Sequence, residues 1–374
     1  MQIVPQVAIV AGPCAAESEA QVMACARALA AGVKLTCFRA GVWKPRTRPG
    51  HFEGRGEEAL PWLARVAREL HVPVCTEVAT AEHAALAKRY GIDSFWVGAR
   101  TTADPFAVQA LAEAMGSVRG TVYVKNPPSP DLDLWIGAME RFRRAGAERV
   151  VAVHRGFYPF AGGRYRNAPR WDTMLMLRAR RPDLPIYCDP SHIAGKRELV
   201  PEVAHQAMLH AADGLFVEVH PNPAVALSDA RQQLLPAEFI TLVEALPDVA
   251  RRQLGCEDED VALQLLRSRI DSIDNQLIEL LAQRMTAVQE IGEWKAARHL
   301  SSFSRARWGE ILRRNLAYSR ELGMSPGFVR ALAEMVHAEA IRLQDEQKEE
   351  AVRRCRAQGE ATRDGGAGQG EGSE

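Results

Sequence analysis

Four side chains of different chemical types, far apart in the chain, could together hold a metal ion. They are one thiol, one imidazole and two carboxylates: Cys14, His192, Glu218 and Asp229. A mixed set of sulfur, nitrogen and oxygen donors suits one borderline divalent transition metal ion, manganese or similar, better than calcium or magnesium. Cys14 alone would more often be a small buried hydrophobe. The metal hypothesis therefore requires a fold that brings all four together.

A second group of residues supplies positive charge. Each of these residues, taken singly, is more often a solvated loop charge, but together they would form a ring of fixed cations. Such a ring suits substrates that carry several phosphate or carboxylate charges, and two phosphorylated substrates would account for it. The group comprises Arg39, Lys44, Arg46, Arg100, Lys125 and Arg155.

The elements that must position both groups are short apolar runs alternating with helical-period segments, the pattern of repeated βα units around a parallel sheet. Eight such runs within roughly 250 residues predict an α/β fold, a closed (β/α)8 TIM barrel, whose strands deliver catalytic groups at their carboxyl ends. A doubly wound open sheet is the alternative, but the glycine-rich phosphate fingerprint after the first strand is missing. The predicted strands are Val7–Ala11, Leu35–Arg39, Val74–Val78, Phe95–Ala99, Val122–Lys125, Val150–His154, Ile186–Asp189 and Leu215–His220.

Composition excludes several function classes. The 374 residues include 47 basic and 47 acidic side chains, a balance that disfavours a nucleic-acid binder. No apolar run is long enough to cross a membrane, and the first residues lack the pattern of a signal peptide. The seven cysteines are scattered, so we expect reduced thiols and a cytoplasmic protein.

The composition changes after residue 246, which predicts a second domain. We expect the barrel over residues 1–246, a linker over 247–260 and an all-helical domain over 261–347. Within that domain, leucines and isoleucines recur at helical spacing from residue 261 to about 299, and two shorter helices follow over 308–321 and 326–344. The polar, glycine-rich remainder, 348–374, predicts a disordered tail.

Seven barrel segments carry long, ordered motifs: AGPCAAES (11–18), RAGVWKPRT (39–47), VGAR (97–100), KNPPSPDLDLWIGAMERF (125–142), HRGF (154–157), CDPSHIAGKRE (188–198) and EVHPNPAVALSDARQQ (218–233). These motifs resemble those of type I beta 3-deoxy-D-arabino-heptulosonate 7-phosphate (DAHP) synthases. The resemblance implies condensation of phosphoenolpyruvate with erythrose 4-phosphate, with Cys14, His192, Glu218 and Asp229 as metal ligands. It also implies that Arg39, Lys44, Glu77, Arg100, Lys125 and Arg155 hold phosphoenolpyruvate, and that Lys44, Pro45, Arg46 and Thr47 meet the sugar phosphate.

The residues fit this chemistry. Attack of an enol phosphate on an aldehyde needs an electrophile activator, which a metal ion supplies, and cations that overcome repulsion between two anions. Lys44 is our candidate proton donor to the developing alkoxide, with a metal-bound water as the alternative. The related octulosonate phosphate synthases use a five-carbon sugar phosphate, and the KPRT run favours the four-carbon one, although Arg48 stands where the family commonly has Ser. A barrel aldolase with Lys125 as a Schiff base is a third hypothesis.

Three cations lie along the long helix predicted after the linker. Arg284 and Lys295 share a face about 16 Å apart, whereas Arg267 is roughly 25 Å from Arg284. Solvated helix charges would also explain them. If Arg267 and Arg284 serve one pocket, Arg267 must come from a second chain, which predicts a homodimer or higher homo-oligomer formed through the helical domain.

This region resembles the all-helical chorismate mutases in the segments LRSRIDSIDNQLIELLAQR (266–284) and IGEWK (291–295). The resemblance implies that Arg267, Arg284, Lys295, Arg307 and Gln344 bind chorismate, with Lys295 and Gln344 as catalytic partners of the ether oxygen. Ser304, Trp308 and Ala340 stand where many members have Asp, Glu and Ser. The sequence thus predicts a bifunctional enzyme that acts on small molecules. The alternative keeps the synthase and makes the helical domain a ligand sensor and dimerisation module.

Overall fold

The computed structural model describes residues 7–46, 50–159, 163–253, 258–298 and 300–364. Its eight strands are all parallel and close into a barrel in sequence order, with the first strand paired to the eighth, so the predicted TIM barrel is confirmed. The strands are β1 Ala8–Gly12, β2 Cys37–Arg39, β3 Val74–Val78, β4 Ser94–Val97, β5 Val118–Lys125, β6 Ala147–His154, β7 Ile186–Cys188 and β8 Gly214–Glu218.

Ten helices belong to the described part of the barrel region and three to the region after it. They are α1 Glu19–Gly32, α2 Leu60–Leu70, α3 Ala81–Arg89, α4 Ala99–Thr102, α5 Pro105–Met115, α6 Leu132–Arg144, α7 Trp171–Arg180, α8 Pro190–Ala194, α9 Val200–Leu209, α10 Pro236–Gln253, α11 Asp258–Ala296, α12 Arg305–Glu321 and α13 Pro326–Asp364. None of these helices is both long and apolar enough to span a membrane.

Two strands end earlier than predicted because a helix cap takes over their last residues. Gly98 is the N-cap of α4, so β4 stops at Val97. Asp189 is the N-cap of α8 and accepts a hydrogen bond from the His192 backbone N–H, so β7 stops at Cys188. Both caps turn the chain at the carboxyl end of the barrel, where a catalytic site is expected.

The apolar core lies mainly between the barrel and its ring of helices. A second, smaller cluster lies in the barrel interior and includes large aromatic side chains. Trp96, Tyr123 and Phe216 pack against one another there, with ring centroids 5.5 to 5.6 Å apart between neighbours. These rings form an apolar floor beneath the polar groups at the strand ends.

The helices after the barrel differ from the predicted boundaries. Helix α10 continues to Gln253 and α11 begins at Asp258, so most of the expected linker 247–260 is helical, and residues 254–257 lie outside the described part. Helix α13 continues to Asp364 rather than ending near 347. Glutamate, lysine, arginine and alanine favour a helix over 348–364, where the sequence predicts a disordered tail. The rest of that predicted tail, 365–374, lies outside the described residues. The chain divides into two compact units at Ser272 and Ile273.

Candidate active sites

A cavity of about 580 Å³ opens at the carboxyl ends of the barrel strands. Its walls carry many of the cations that the sequence singles out, together with Glu77, His192 and Asp229. Residues Arg166 and Asn167 also line it, although the sequence analysis did not select them. The cationic lining residues are Arg39, Lys44, Arg46, Arg100, Lys125, Arg155 and Arg166.

Arg39 lies at the cavity floor and is only 1% exposed. Its guanidinium carbon is 4.6 Å from the ring centres of both Trp96 and Phe216, and Nη2 donates to Glu218 Oε1 at 3.0 Å. Burial alone lowers the pKa of Arg39, but the charges of Glu218 and Asp189 raise it overall. Its Nε and Nη1 atoms have no hydrogen-bond partner among the described residues. Two buried donors are therefore ready for an anion.

Lys125 and Asp189 form a buried ion pair at the ends of β5 and β7, with Nζ and Oδ2 2.7 Å apart. The same Oδ2 atom is 2.8 Å from Nδ1 of His192, although the imidazole N–H is not aligned well enough for a hydrogen bond. Burial raises the pKa of Asp189, but the charges of His192 and Lys125 outweigh burial and hold that pKa well below its usual value. Asp189 thus links a cation of the cavity to a candidate metal ligand.

Arg155 lies on the opposite wall from β2. Its backbone N–H donates to Asn126 Oδ1 at 2.7 Å, and Nη1 donates to Asn167 Oδ1 at 2.7 Å. Burial, with contributions from Arg166 and Arg100, lowers the pKa of Arg155 to about 10, although Asp189 partly offsets them. Crowding of positive charge lowers an arginine pKa in this way, and a bound anion would relieve it.

Lys44 and Arg46 belong to the segment that follows β2. Lys44 Nζ donates to Cys14 Sγ at 3.1 Å and lies 3.9 Å from Glu77 Oε2, while Arg46 Nε donates to the Phe52 carbonyl at 2.8 Å. Arg100 Nη1 donates to the Pro45 carbonyl at 2.7 Å, which fixes this segment against α4. Thr47, the last of the four residues predicted to bind the sugar phosphate, lies outside the described residues, as does Arg48.

Three of the four predicted metal ligands converge. One donor atom from each of Cys14, Glu218 and Asp229 lies within 4.8 Å of the others, and Cys14 Sγ is 3.2 Å from Asp229 Oδ2. His192 is adjacent rather than within this group: its Nδ1 is 3.9 Å from Glu218 Oε1, because the ring is drawn to the buried carboxylate of Asp189. A thiol, two carboxylates and a neighbouring imidazole fit a borderline transition metal ion.

The protonation of this group responds to burial and to charge. Burial raises the pKa of the Cys14 thiol far above its ordinary value, and Glu218 adds to the effect. Burial also raises the pKa of Asp229, but the charges of His192 and Lys44 outweigh it, so the carboxylate is ionised. A divalent cation would reverse the balance at Cys14, because the thiolate is the form that ligates metals.

A second group of polar residues lies in the helical unit 273–374. Lys295 Nζ donates to Gln344 Oε1 at 3.1 Å and to the Ser302 carbonyl at 2.8 Å, and Gln344 is buried. A side chain at Gly292 would place Cβ 3.1 Å from Gln344 Cγ, so glycine permits the close approach of α11 and α13. Lys295 and Gln344 are therefore brought together as the sequence predicts.

The other predicted chorismate ligands are placed differently. Arg284 Nη1 contacts the Val336 carbonyl at 3.4 Å. Arg307 is exposed at the start of α12, where it pairs with Glu310 at 2.7 Å. Arg267 is an exposed residue of α11 that precedes the helical unit.

The fold and the cavity define a class: a (β/α)8-barrel enzyme with a cation-rich site for anionic substrates, followed by a helical domain. Residues 5–253 match the DAHP synthetase I family model, and residues 266–345 match the model of chorismate mutase type II. The chain belongs to the DAHP synthetase I family. It is an enzyme of the shikimate pathway that joins a DAHP synthase domain to a chorismate mutase domain.

The barrel is similar to DAHP synthases and also to the related octulosonate phosphate enzymes. The chain is 32% identical over 243 residues to a phospho-2-dehydro-3-deoxyheptonate aldolase of Thermotoga maritima, covering 65% of this chain and 69% of that one. The crystal structure of a Thermotoga maritima DAHP synthase superposes with a TM-score of 0.59 at 28% identity, over 66% of this chain and 70% of that one. A 2-dehydro-3-deoxyphosphooctonate aldolase of Koribacter versatilis is 30% identical over 62% of this chain and 86% of its own length.

Proposed function

We propose that the barrel catalyses the metal-dependent condensation of phosphoenolpyruvate with erythrose 4-phosphate and one water molecule, giving DAHP and phosphate. The observation that carries this proposal is the pair of buried donors on Arg39 that have no partner within the described part of the chain. They lie next to the thiol and carboxylates of Cys14, Glu218 and Asp229. An anion and a metal ion can therefore be held side by side.

Arg39 and Lys125, which are buried at the strand ends, bind the carboxylate and phosphate of phosphoenolpyruvate together with Arg155, whose guanidinium donates to Asn167. Arg46 lies on the segment that follows β2 and receives the phosphate of the aldose. Arg100, on α4, donates to the Pro45 carbonyl of that segment and contributes to the phosphoenolpyruvate site. A divalent ion held by Cys14, Glu218 and Asp229, with His192 beside them, would polarise the aldehyde oxygen. Neutralisation of both phosphates lets the enol carbon approach the aldehyde carbon.

Lys44 delivers the proton to the oxygen that was the aldehyde carbonyl. Burial lowers the pKa of Lys44, but the charges around it, including Glu77, raise the pKa above its usual value overall, so the amine is protonated at neutral pH. Its Nζ atom lies 3.1 Å from Cys14 Sγ, next to the metal donors. A charged amine at this place can both stabilise the developing alkoxide and protonate it.

Synthase activity is tested with the full chain after chelation and re-addition of single metals, Mn²⁺ first. We expect phosphate release with erythrose 4-phosphate, little with arabinose 5-phosphate, and none without metal. The Lys125→Met variant should lose at least about 100-fold in rate, whereas Lys34→Met, at the opposite end of β2, should retain activity. Activity that survives chelation, together with borohydride trapping at Lys125, would support the Schiff-base hypothesis instead.

We also propose that the helical domain converts chorismate to prephenate by Claisen rearrangement. Lys295 and Gln344 are hydrogen-bonded to each other, so a cation and an amide lie side by side. Both are donors that can stabilise the negative charge that develops on the ether oxygen in the transition state. Loss of chorismate with purified full-length protein tests this function. Binding of chorismate without turnover would favour the sensor role, in which the ligand controls the barrel.

A second copy of the chain is the partner that we propose for the helical unit. Several large apolar side chains stand exposed on it, including Ile273, Leu277, Leu280, Phe328 and Met335, each at least 46% exposed. Exposed apolar residues in such number mark an interface. Sedimentation should give a dimer or higher oligomer, and Leu277→Glu should dissociate it.

A cytoplasmic location stays a prediction, supported by the free thiols among the described cysteines.

A further inference from the structure

The side chains of Trp308 and His337 form a stacked pair between α12 and α13. Their ring centroids are 4.3 Å apart and the planes differ by 9°. Phe303 borders the imidazole as well, with its centroid 5.9 Å away in a tilted orientation. The stack holds the histidine ring in one plane, so its nitrogen atoms point in fixed directions.

His337 lies next to the polar residues of the proposed mutase site. It precedes Gln344 by seven positions, about two turns of α13, so both side chains lie on one face of that helix. The preceding residue, Val336, receives the contact from Arg284. Burial, and then the charges of Arg284 and Lys295, lower the pKa of His337, so its imidazole is neutral at neutral pH.

The Nε2 atom of His337 is shielded from solvent yet has no hydrogen-bond partner among the described residues. Buried polar atoms are normally paired, and those that are not call for an explanation such as an absent ligand. A polar group of a bound ligand would satisfy this atom.

We propose that Nε2 of His337 binds the ring hydroxyl of the mutase substrate, an inference that rests on the proposed mutase function. The substrate is a dianion with two carboxylates, one ether oxygen and one hydroxyl. Arg284, Lys295 and Gln344 match the carboxylates and the ether oxygen. A hydroxyl both donates and accepts hydrogen bonds, so it pairs with a neutral imidazole in either tautomer. Trp308 is a positioning residue, because it acts through the histidine ring.

The test compares chorismate with an analogue that lacks the ring hydroxyl, using the full chain. We expect His337→Leu to raise KM for chorismate roughly tenfold, the effect of one lost hydrogen bond, and to leave the deoxy analogue unaffected. Gln offers a donor and an acceptor, so His337→Gln should recover most of the loss. Trp308→Leu should resemble His337→Leu with both compounds. His205→Gln, in the barrel, is the matched control, and thermal melting verifies folding.

Two results would overturn the assignment of His337: an unchanged KM for chorismate in His337→Leu, or an equal loss with the deoxy analogue, which would indicate a packing role. If the wild-type chain binds chorismate without turning it over, the mutase proposal fails separately. In that case calorimetry measures the affinity of the wild type and of His337→Leu for chorismate and for the deoxy analogue. We then expect His337→Leu to lose affinity for chorismate only. Failure of the wild type to bind either compound would overturn both proposals.

Discussion

The Lys125 ammonium lies 2.7 Å from the Asp189 carboxylate, and both side chains are almost completely buried. Neither group can be removed without leaving the other charge unpaired in the barrel. Because Asp189 also contacts His192, this one carboxylate affects both the proposed anion site and the proposed metal site.

We predict that Asp189→Asn weakens metal binding 10- to 100-fold, the usual effect of losing a residue that orients a ligand, and lowers the free energy of unfolding by about 3 kcal/mol. Calorimetric titration with Mn²⁺ and urea denaturation measure the two quantities. Asp183→Asn serves as the control, because that carboxylate belongs to an exposed ion pair. Unaltered metal affinity in Asp189→Asn would show that the contact with His192 has no orienting role.

Stability should depend on pH through His154, which is completely buried against Trp171 and Phe157. Burial lowers the pKa of His154 to about 4. The unfolded chain, with a histidine pKa of about 6.5, therefore binds a proton between pH 6.5 and 4 that the folded chain does not. Stability should fall as pH decreases through this window, by up to about 3 kcal/mol from this group.

The His154→Gln variant removes this titration while keeping a donor for the Pro169 carbonyl, which His154 Nε2 contacts. We expect its free energy of unfolding to fall less between pH 7 and pH 5 than that of the wild type. Urea denaturation at both values checks this, with His205→Gln as control. Parallel pH dependence in wild type and His154→Gln would contradict the assigned cause.

Arg39 and Arg46 should separate the two substrates of the synthase kinetically. Arg39→Lys removes the free guanidinium donors over Trp96 and Phe216, so kcat/KM for phosphoenolpyruvate should fall about 100-fold. Arg46 lies on the segment after β2, so the Arg46→Lys variant should mainly raise KM for erythrose 4-phosphate. Steady-state assays with each substrate varied in turn test the split. Equal effects of both variants on both substrates would place the two arginines in one subsite.

The two activities should be separable by mutation of the helical unit. Lys295→Met removes the amine that contacts Gln344, so chorismate turnover should fall at least about 100-fold, with no change in phosphate release by the synthase measured without chorismate. Lys348→Met, farther along α13, provides a control. Normal chorismate turnover by Lys295→Met would exclude this lysine from the reaction.

Much of the barrel could be predicted because most strands are short apolar runs that end at or next to a polar residue, as at Val122–Lys125. The alternation of short apolar runs with helical-period segments predicts the strands. The barrel fold then places Arg39, Lys125 and Glu218 at the carboxyl ends of their strands. Contacts between residues from distant segments could not be predicted in this way. Nothing in the sequence indicates that Asp189, which already lies beside His192 at the start of α8, would also contact Lys125, since that contact depends on the relative height of β5 and β7.

Helix ends were harder to predict for a local reason. The change of composition after residue 246, with Pro247 and Gly255 in it, predicts a linker, yet Ala250, Arg251 and Arg252 favour a helix, and α10 continues to Gln253. In the same way Arg342 and Glu346, four positions apart, form an ion pair along α13 within the stretch where that helix was predicted to end. Charge-rich segments of this kind are equally typical of a solvated helix and of a disordered tail.

The guanidinium of Arg39 rests over two aromatic faces and is tied at one end to Glu218. A side chain so confined loses its rotational freedom when the barrel folds, not when a ligand arrives. Each incoming anion therefore meets donors that already point at it. The conformational entropy of the Arg39 side chain is lost once, during folding, and not again at each turnover.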